Sequence, residues 1–184
     1  MTRIEIETPR LLLRTPQLAD FLPYAAFTAD DLSMRFIGGA QLRHTAWRSF
    51  MVMAGAWALQ GFAMFSVVER ETGRWVGRVG PWQPDGWPGT EVGWGIVRDR
   101  CGRGYAAEAA AAAIDWAFAS LGWTDVIHVI DVGNVASQRV AAKLGSVNRG
   151  PGRLPAPYDD AVVEIWGQSV SDWRHNRSRL ERAR

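Results

Sequence analysis

The run from Glu91 to Ala113 constrains the fold of this chain more than any other segment. A strand-like, largely apolar stretch, Glu91 to Val97, is followed by Arg98-Asp99-Arg100-Cys101 and then by the turn Gly102-Arg103-Gly104. Tyr105 opens a helix whose interior holds an unbroken alanine run from Ala109 to Ala113, close to ideal in helix propensity and small enough to lie tight against a sheet. Two glycines flanking one residue let the backbone bend with its N–H groups outward. The helix start adds unpaired amides and the positive end of its dipole. Strand, turn and helix together make an anion pocket built of backbone, suited to a pyrophosphate.

At 184 residues the chain fits one domain with a sizeable core, and 47% hydrophobic with 22% charged residues is a globular composition. The ten tryptophans are spread along the chain, no apolar run reaches the length of a spanning helix, and the opening Met-Thr-Arg-Ile-Glu-Ile-Glu lacks a leader's apolar stretch. With one cysteine, Cys101, there is no internal disulfide and no cysteine cluster; the histidines, His44, His128 and His175, lack ligand spacing, so no metal is expected. A cytoplasmic location without membrane contact follows as the expectation. Five arginines and one glutamate between residues 174 and 184 carry the net charge of +2, so the rest of the chain is slightly acidic. The basic character belongs to a tail, residues 169–184, expected to be a solvated or frayed end behind a domain over residues 1–168; a ribosome or RNA contact is its alternative reading.

Periodicity gives a strand at Arg10–Arg14, a helix over about Asp20–Ala29, a short piece at Leu32–Phe36 and a helix over Thr45–Gln60. Strands follow at Phe62–Glu69, Trp75–Trp82 and Glu91–Val97, then a helix from Tyr105 to about Leu121. A strand at Val126–Asp131, a helix at Val135–Leu144 and a strand at Ala161–Gln168 complete the pattern. The order implies an α/β (α+β) fold, a mixed sheet with helices on both faces.

The glycine turn alone is compatible with several phosphate sites. The Walker A loop fails, because Gly104 is followed by Tyr105-Ala106 and the lone lysine is Lys143. A dinucleotide fingerprint is met loosely by Gly102, Gly104 and Ala107, but the preceding strand follows two helices and a hairpin rather than opening a βαβ unit. A second segment narrows the choice. Asn134-Val135-Ala136-Ser137 begins a helix directly after a strand, and Lys143-Leu144-Gly145 ends it. Taken alone, Asn134 reads as an N-cap.

Together with Glu7-Thr8-Pro9-Arg10-Leu11-Leu12-Leu13-Arg14 and the turn through Ala109, this helix resembles the GNAT superfamily of acyl-CoA-dependent N-acetyltransferases, and within it the RimJ/RimL-type branch. The resemblance covers about residues 7 to 168. Two positions depart from it: Asp99 stands where the turn often has Gln or Arg, with Arg98, Arg100 and Arg103 available to compensate, and Ser146 stands where Phe usually follows Leu-Gly.

The resemblance implies a GNAT fold, a central sheet of about six to seven strands splayed in the middle, with acetyl-CoA as co-substrate. The pantetheine arm pairs with Glu91–Val97 like an added strand. Gly93 and Gly95 within it mark either close backbone approach or a bulge. The pyrophosphate falls on the amides of Cys101 through Ala106, that is Gly102, Arg103, Gly104, Tyr105 and Ala106, with Arg103 at the rim. The acetyl carbonyl falls near Trp94, Gly95 and Ile96, with Val97 and Lys143 completing the cofactor set. Ser137 is the candidate donor to the leaving thiolate, Asn134 orients the pantetheine, and Glu91 is the first candidate base, acting through water. Weaker base candidates are His128, Asp131 and Glu164; a packed His128 and a solvated Glu164 are the alternatives. Cys101 reads as incidental.

The implied activity is acetyl transfer by direct attack of a primary amine, either a protein N-terminus or a small amine, in a ternary complex. The acceptor pocket would come from Leu32–Gly61 and the loop Gln83–Gly89, with Trp47, Trp57, Trp82 and Trp87 as an apolar wall; core packing is the alternative for the two on the helix. A non-catalytic acyl-CoA sensor or scaffold of the same fold is the alternative. Monomer and homodimer both remain open.

Overall fold

A computed structural model describes residues 4–182. Eight strands form one sheet: β1 (Glu5–Glu7), β2 (Leu11–Arg14), β3 (Phe65–Glu69), β4 (Trp75–Trp82), β5 (Glu91–Ile96), β6 (Asp125–Asp131), β7 (Val147–Gly152) and β8 (Val163–Ser169). Six α-helices join them: α1 (Phe21–Thr28), α2 (Asp31–Met34), α3 (Arg43–Leu59), α4 (Tyr105–Ser120), α5 (Val135–Leu144) and α6 (Val170–Arg182). The spatial order is β1-β2-β3-β4-β5-β6-β8-β7. Every pairing is antiparallel except β5 with β6, which are parallel and share a single register pair, Glu91 with Ile127. The expected fold class is borne out, with eight strands rather than six to seven. Periodicity misses β1 because it is three residues long, and β7 because it is a largely exposed edge strand with Gly150-Pro151-Gly152 and a register shift.

The alanine run explains the tight layering. Ala109, Ala110, Ala113, Ile114 and Ala117 of α4 are fully buried against Leu11, Leu13, Val76, Val79 and Val92 of the sheet. A second cluster, under α1 and α3, gathers Phe21, Tyr24, Phe27, Phe50 and Met53 over Met64 and Trp75. The Leu32–Phe36 piece is helical at Asp31–Met34, with the Asp30 side chain accepting from the Ser33 amide. Among the described residues no helix is long and apolar enough to cross a membrane.

The arginine-rich segment is not a frayed end over its described part. Trp173 of α6 is buried and donates its indole N–H to Asp115 of α4 at 2.8 Å, and Arg177 binds the same carboxylate. Burying one tryptophan in this way contributes about 3 kcal/mol, which holds the helix down. Ala183 and Arg184 of the tail and the first three residues, read for a leader, lie outside the described residues.

Candidate active site

Beyond Glu91 and Ile127 the two parallel strands part. In an uninterrupted parallel ladder the bond after Ile127 N–H to Thr90 O would run from Val129 N–H to Val92 O. Two side chains intervene. The Glu91 carboxylate accepts the Val129 N–H at 3.2 Å, and His128 Nδ1 donates to Val92 O at 2.7 Å. Backbone alternation, fixed by Val97 N–H bonding Val76 O, then aims the amides of Trp94 and Ile96 into the gap.

The gap opens into a cleft of about 700 Å³. Gly102, Gly104, Tyr105 and Ala106, with Arg98 and Arg100, line it past the end of β5, and Glu91 lines it at the start of that strand; Arg78 and Met64 lie along it, and Asn134, Ser137 and Lys143 of α5 line one wall. The turn takes its shape from Gly102 at φ +77° and Gly104 at φ +81°, the left-handed region that side chains disfavour. Gly104 caps α4, so the following amides have no intrahelical acceptor and face the cleft. Cys101 differs from the expectation, because its amide already bonds Arg98 O. Arg103 is exposed and Val97 is packed between the two cores, so neither lines the cleft.

Two buried carboxylates hold this turn. Glu108 accepts from Thr8 Oγ1 at 2.7 Å, Arg10 N at 3.0 Å and Arg10 Nε at 2.7 Å, while Arg10 Nη1 grips the Arg103 carbonyl at 2.9 Å. Desolvation raises the Glu108 pKa, but the Thr8 and Arg10 hydrogen bonds outweigh it and the net shift is downward. Glu69 accepts from Thr72, Tyr105 and Arg100, in that order of effect, and its pKa falls to about 2. Sequence reading had Thr8 and Arg10 in its opening motif without this role. Its available signal was Glu108, a lone acid inside an alanine helix.

Asn134 is the N-cap of α5, accepting the Ser137 amide at 3.1 Å. Ser137 Oγ accepts the Trp94 indole N–H at 3.2 Å, which leaves the hydroxyl proton free to be donated into the cleft. Glu91 is buried and its pKa is pushed up to about 7 by desolvation, against hydrogen bonds from the Trp87 indole at 2.6 Å and from Val129. Trp87 thereby ties the Gln83–Gly89 loop to the site.

His128 is a packed histidine. Burial lowers its pKa to about 4, and since a carbonyl only accepts, Nδ1 carries the proton and Nε2 accepts from Ser146 Oγ at 3.0 Å. Ser146 in turn accepts from Gln168 Nε2 at 3.0 Å, and Gln168 Oε1 accepts from Asn176 Nδ2 at 3.0 Å. The departure at Ser146 is therefore matched by two polar partners, His128 and Gln168, and Asn176 extends the relay to α6. The same Asn176 lies where a side chain at Gly145 would clash.

Asp131 lines the cleft, with its carboxylate on the Gly133 amide at 2.7 Å. Glu164 lies outside the lining and accepts from Trp166. Asp99 turns away onto Arg74 at 2.6 Å and Arg100 at 3.2 Å. The Cys101 thiol is pushed up by desolvation and by Asp99, which disfavours the thiolate a covalent acyl-enzyme needs. Gly93 and Gly95 sit in regular register; a Cβ would come within 2.8 Å of Met64 and 2.9 Å of Phe27, so packing uses the space. Trp57 is core, and Trp47 is exposed against Phe21; neither lines the cleft.

The family model for the acetyltransferase (GNAT) domain matches residues 10–147. A crystal structure of the acetyltransferase from Agrobacterium tumefaciens is 29% identical, with TM-score 0.80, covering 91% of this chain and 95% of that one. Two others share the fold at lower identity. A GNAT-family acetyltransferase from Bacillus anthracis is 22% identical with TM-score 0.73, covering 89% and 96% of the two chains. A ribosomal-protein-S5-alanine acetyltransferase from Vibrio fischeri is 17% identical with TM-score 0.70, covering 92% and 98%. The uncharacterized protein YkkB of Bacillus subtilis is 36% identical over 87 residues, 46% of this chain and 51% of that protein. The chain thus spans about half the length of the curated relative it matches. GNAT domains take acetyl-CoA as co-substrate, and the cleft offers the backbone donors that its diphosphate requires. The family match covers most of the chain and coincides with the strand gap and glycine turn: the chain belongs to the GNAT acetyltransferase family.

Proposed function

We propose that the chain transfers an acetyl group from acetyl-CoA to a primary amine by direct attack in a ternary complex. The observation that carries this reading is the β5–β6 gap, with the Gly102–Ala106 amides past the end of β5 and Glu91 at its start along one cleft. Gly102, Gly104, Tyr105 and Ala106 hold the diphosphate, Arg103 adds charge outside the lining, and Lys143 lies along the α5 wall. The strand amides near Trp94, Gly95 and Ile96 polarise the acetyl carbonyl as the amine adds to it. Ser137 donates its hydroxyl proton toward the departing sulfur, and Asn134, as helix cap, keeps Ser137 in position. Glu91, poised near neutrality, takes the ammonium proton through water. His128 has no part in proton transfer, because both ring nitrogens are engaged and it stays neutral.

Within the family the opening Glu7–Arg14 motif is similar to that of the RimJ/RimL-type branch, a likeness of sequence that leaves the acceptor to be set by the cleft. Acetyl-CoA is expected to raise the melting temperature, and Ser137→Ala to lower kcat by roughly 100-fold with little change in cofactor binding. No thermal shift at saturating acetyl-CoA overturns the proposal. Tight CoA binding with no thiol release from any amine favours a sensor instead.

A further inference from the structure

Arg78 on β4 lies directly across from Gly95 of β5, and the adjoining pairs Gly80 with Gly93 and Trp82 with Glu91 extend the register. Directly opposed antiparallel residues share a face, so Arg78 is on the sheet face that carries Glu91. It lines the cleft beside Met64, Phe27 and Ile37. Among the described residues it is the one arginine that is shielded from full solvent exposure and yet makes no hydrogen bond, ion pair or aromatic contact. The other partly buried arginines are all engaged: Arg14 with Asp20, Arg100 with Glu69 and Arg177 with Asp115.

The carboxylate that influences Arg78 is Glu91, and burial raises its pKa to about 7, so it offers Arg78 its full charge only above neutral pH. A guanidinium drawn partly out of water with so little compensation is unfavourable, and a planar carboxylate entering the cleft relieves it with two parallel, charge-assisted hydrogen bonds. The position also suits an acceptor. Gly95, opposite Arg78, lies between Trp94 and Ile96, whose amides face the gap, and Glu91 is further along the same face.

We propose that Arg78 binds a carboxylate of the acceptor, so that the acceptor is a small amine bearing a carboxylate close to its amino group rather than a protein N-terminus. The inference rests on the amine-acetylation reading above. Glu91 then faces the ammonium end and Arg78 the acid end of one molecule, which fixes the amine for attack.

Glycine, methionine, phenylalanine and glutamate, each compared with its methyl ester at equal free-amine concentration, test the proposal. With acetyl-CoA saturating, kcat/KM from thiol release is expected to favour the acids by roughly 10- to 100-fold. Arg78→Met should bring that ratio toward one by raising KM for the acids, and Arg78→Lys should retain part of it. In parallel, the acids should raise the melting temperature of the CoA-saturated wild type and leave that of Arg78→Met unmoved. Stabilisation of both variants by CoA reports that they fold. Equal use of acids and esters by the wild type, equal losses for both in Arg78→Met, or no acid-dependent thermal shift overturns the assignment. Thermal shifts that depend on Arg78 without turnover of any amine support the site and count against the transfer reading instead.

Discussion

His128 donates its Nδ1 proton to the carbonyl oxygen of Val92 at 2.7 Å, taking the place that the amide of Val129 would hold in a continuous parallel ladder. The displaced Val129 amide goes to Glu91. The strand gap that receives the acyl donor in our reading is therefore held open by two side chains. Each is a titratable group whose charged form burial disfavours.

Ser146→Ala should expose the consequence of breaking the relay behind His128. His128 Nε2 and one Gln168 donor would lose their partner in a buried setting, which costs about 1–3 kcal/mol. Denaturant midpoints measure that loss. A raised KM for acetyl-CoA should accompany it, and Ser146→Thr should restore both; a stability loss without the KM change would confine the relay to a structural role.

Opposite pH dependences are expected from the two wedge residues. The Glu91 carboxyl titrates near 4.5 unfolded and about 7 folded, so in that interval the folded chain holds the extra proton and stability falls as pH rises. His128 titrates near 6.5 unfolded and about 4 folded, so there the unfolded chain holds the proton and stability rises with pH. Each term is about 3 kcal/mol across its window, and in the wild type they largely cancel. Glu91→Gln should therefore gain stability between pH 4 and 6.5, and His128→Phe should lose it between pH 4.5 and 7. Parallel slopes in urea unfolding for the two variants would contradict this account.

Activity should carry the same Glu91 signature. The acid limb of kcat/KM is expected near pH 7, where the carboxylate forms. Glu91→Gln should remove that limb and slow turnover by roughly 100-fold at neutral pH. A limb that persists unchanged in the variant assigns the proton to another group.

Arg10→Ala should loosen the anion-binding turn without touching the cofactor. The substitution takes away the grip on the Arg103 carbonyl and leaves Glu108 buried with fewer donors. Losing one partner of such a pair costs about 3 kcal/mol when buried, and less here because Arg10 is largely exposed. Calorimetric titration should show weaker binding of CoA, and binding of dephosphorylated pantetheine should change less. Equal weakening of both ligands would disconnect Arg10 from the turn.

Much of the fold was legible because it depends on local signals. The period of β2, the alanine run of α4 and the caps Gly104, Asn134 and Gly145 specify their elements from neighbours in sequence. So was the glycine turn of the candidate site, because the geometry it needs is a property of two adjacent glycines. Three further features were settled only by packing between distant segments. The last strand pairs away from chain order, β8 lying between β6 and β7, which depends on edges meeting in space. The arginine-rich segment reads as a solvated tail, yet Trp173 finds Asp115 on α4 and secures it as a helix. The environments of Glu91 and His128 follow the same rule: desolvation and hydrogen bonding come from residues up to tens of positions away, so their charge states are properties of the assembled sheet, and only the β4–β5 register brings Arg78 to the face of Glu91.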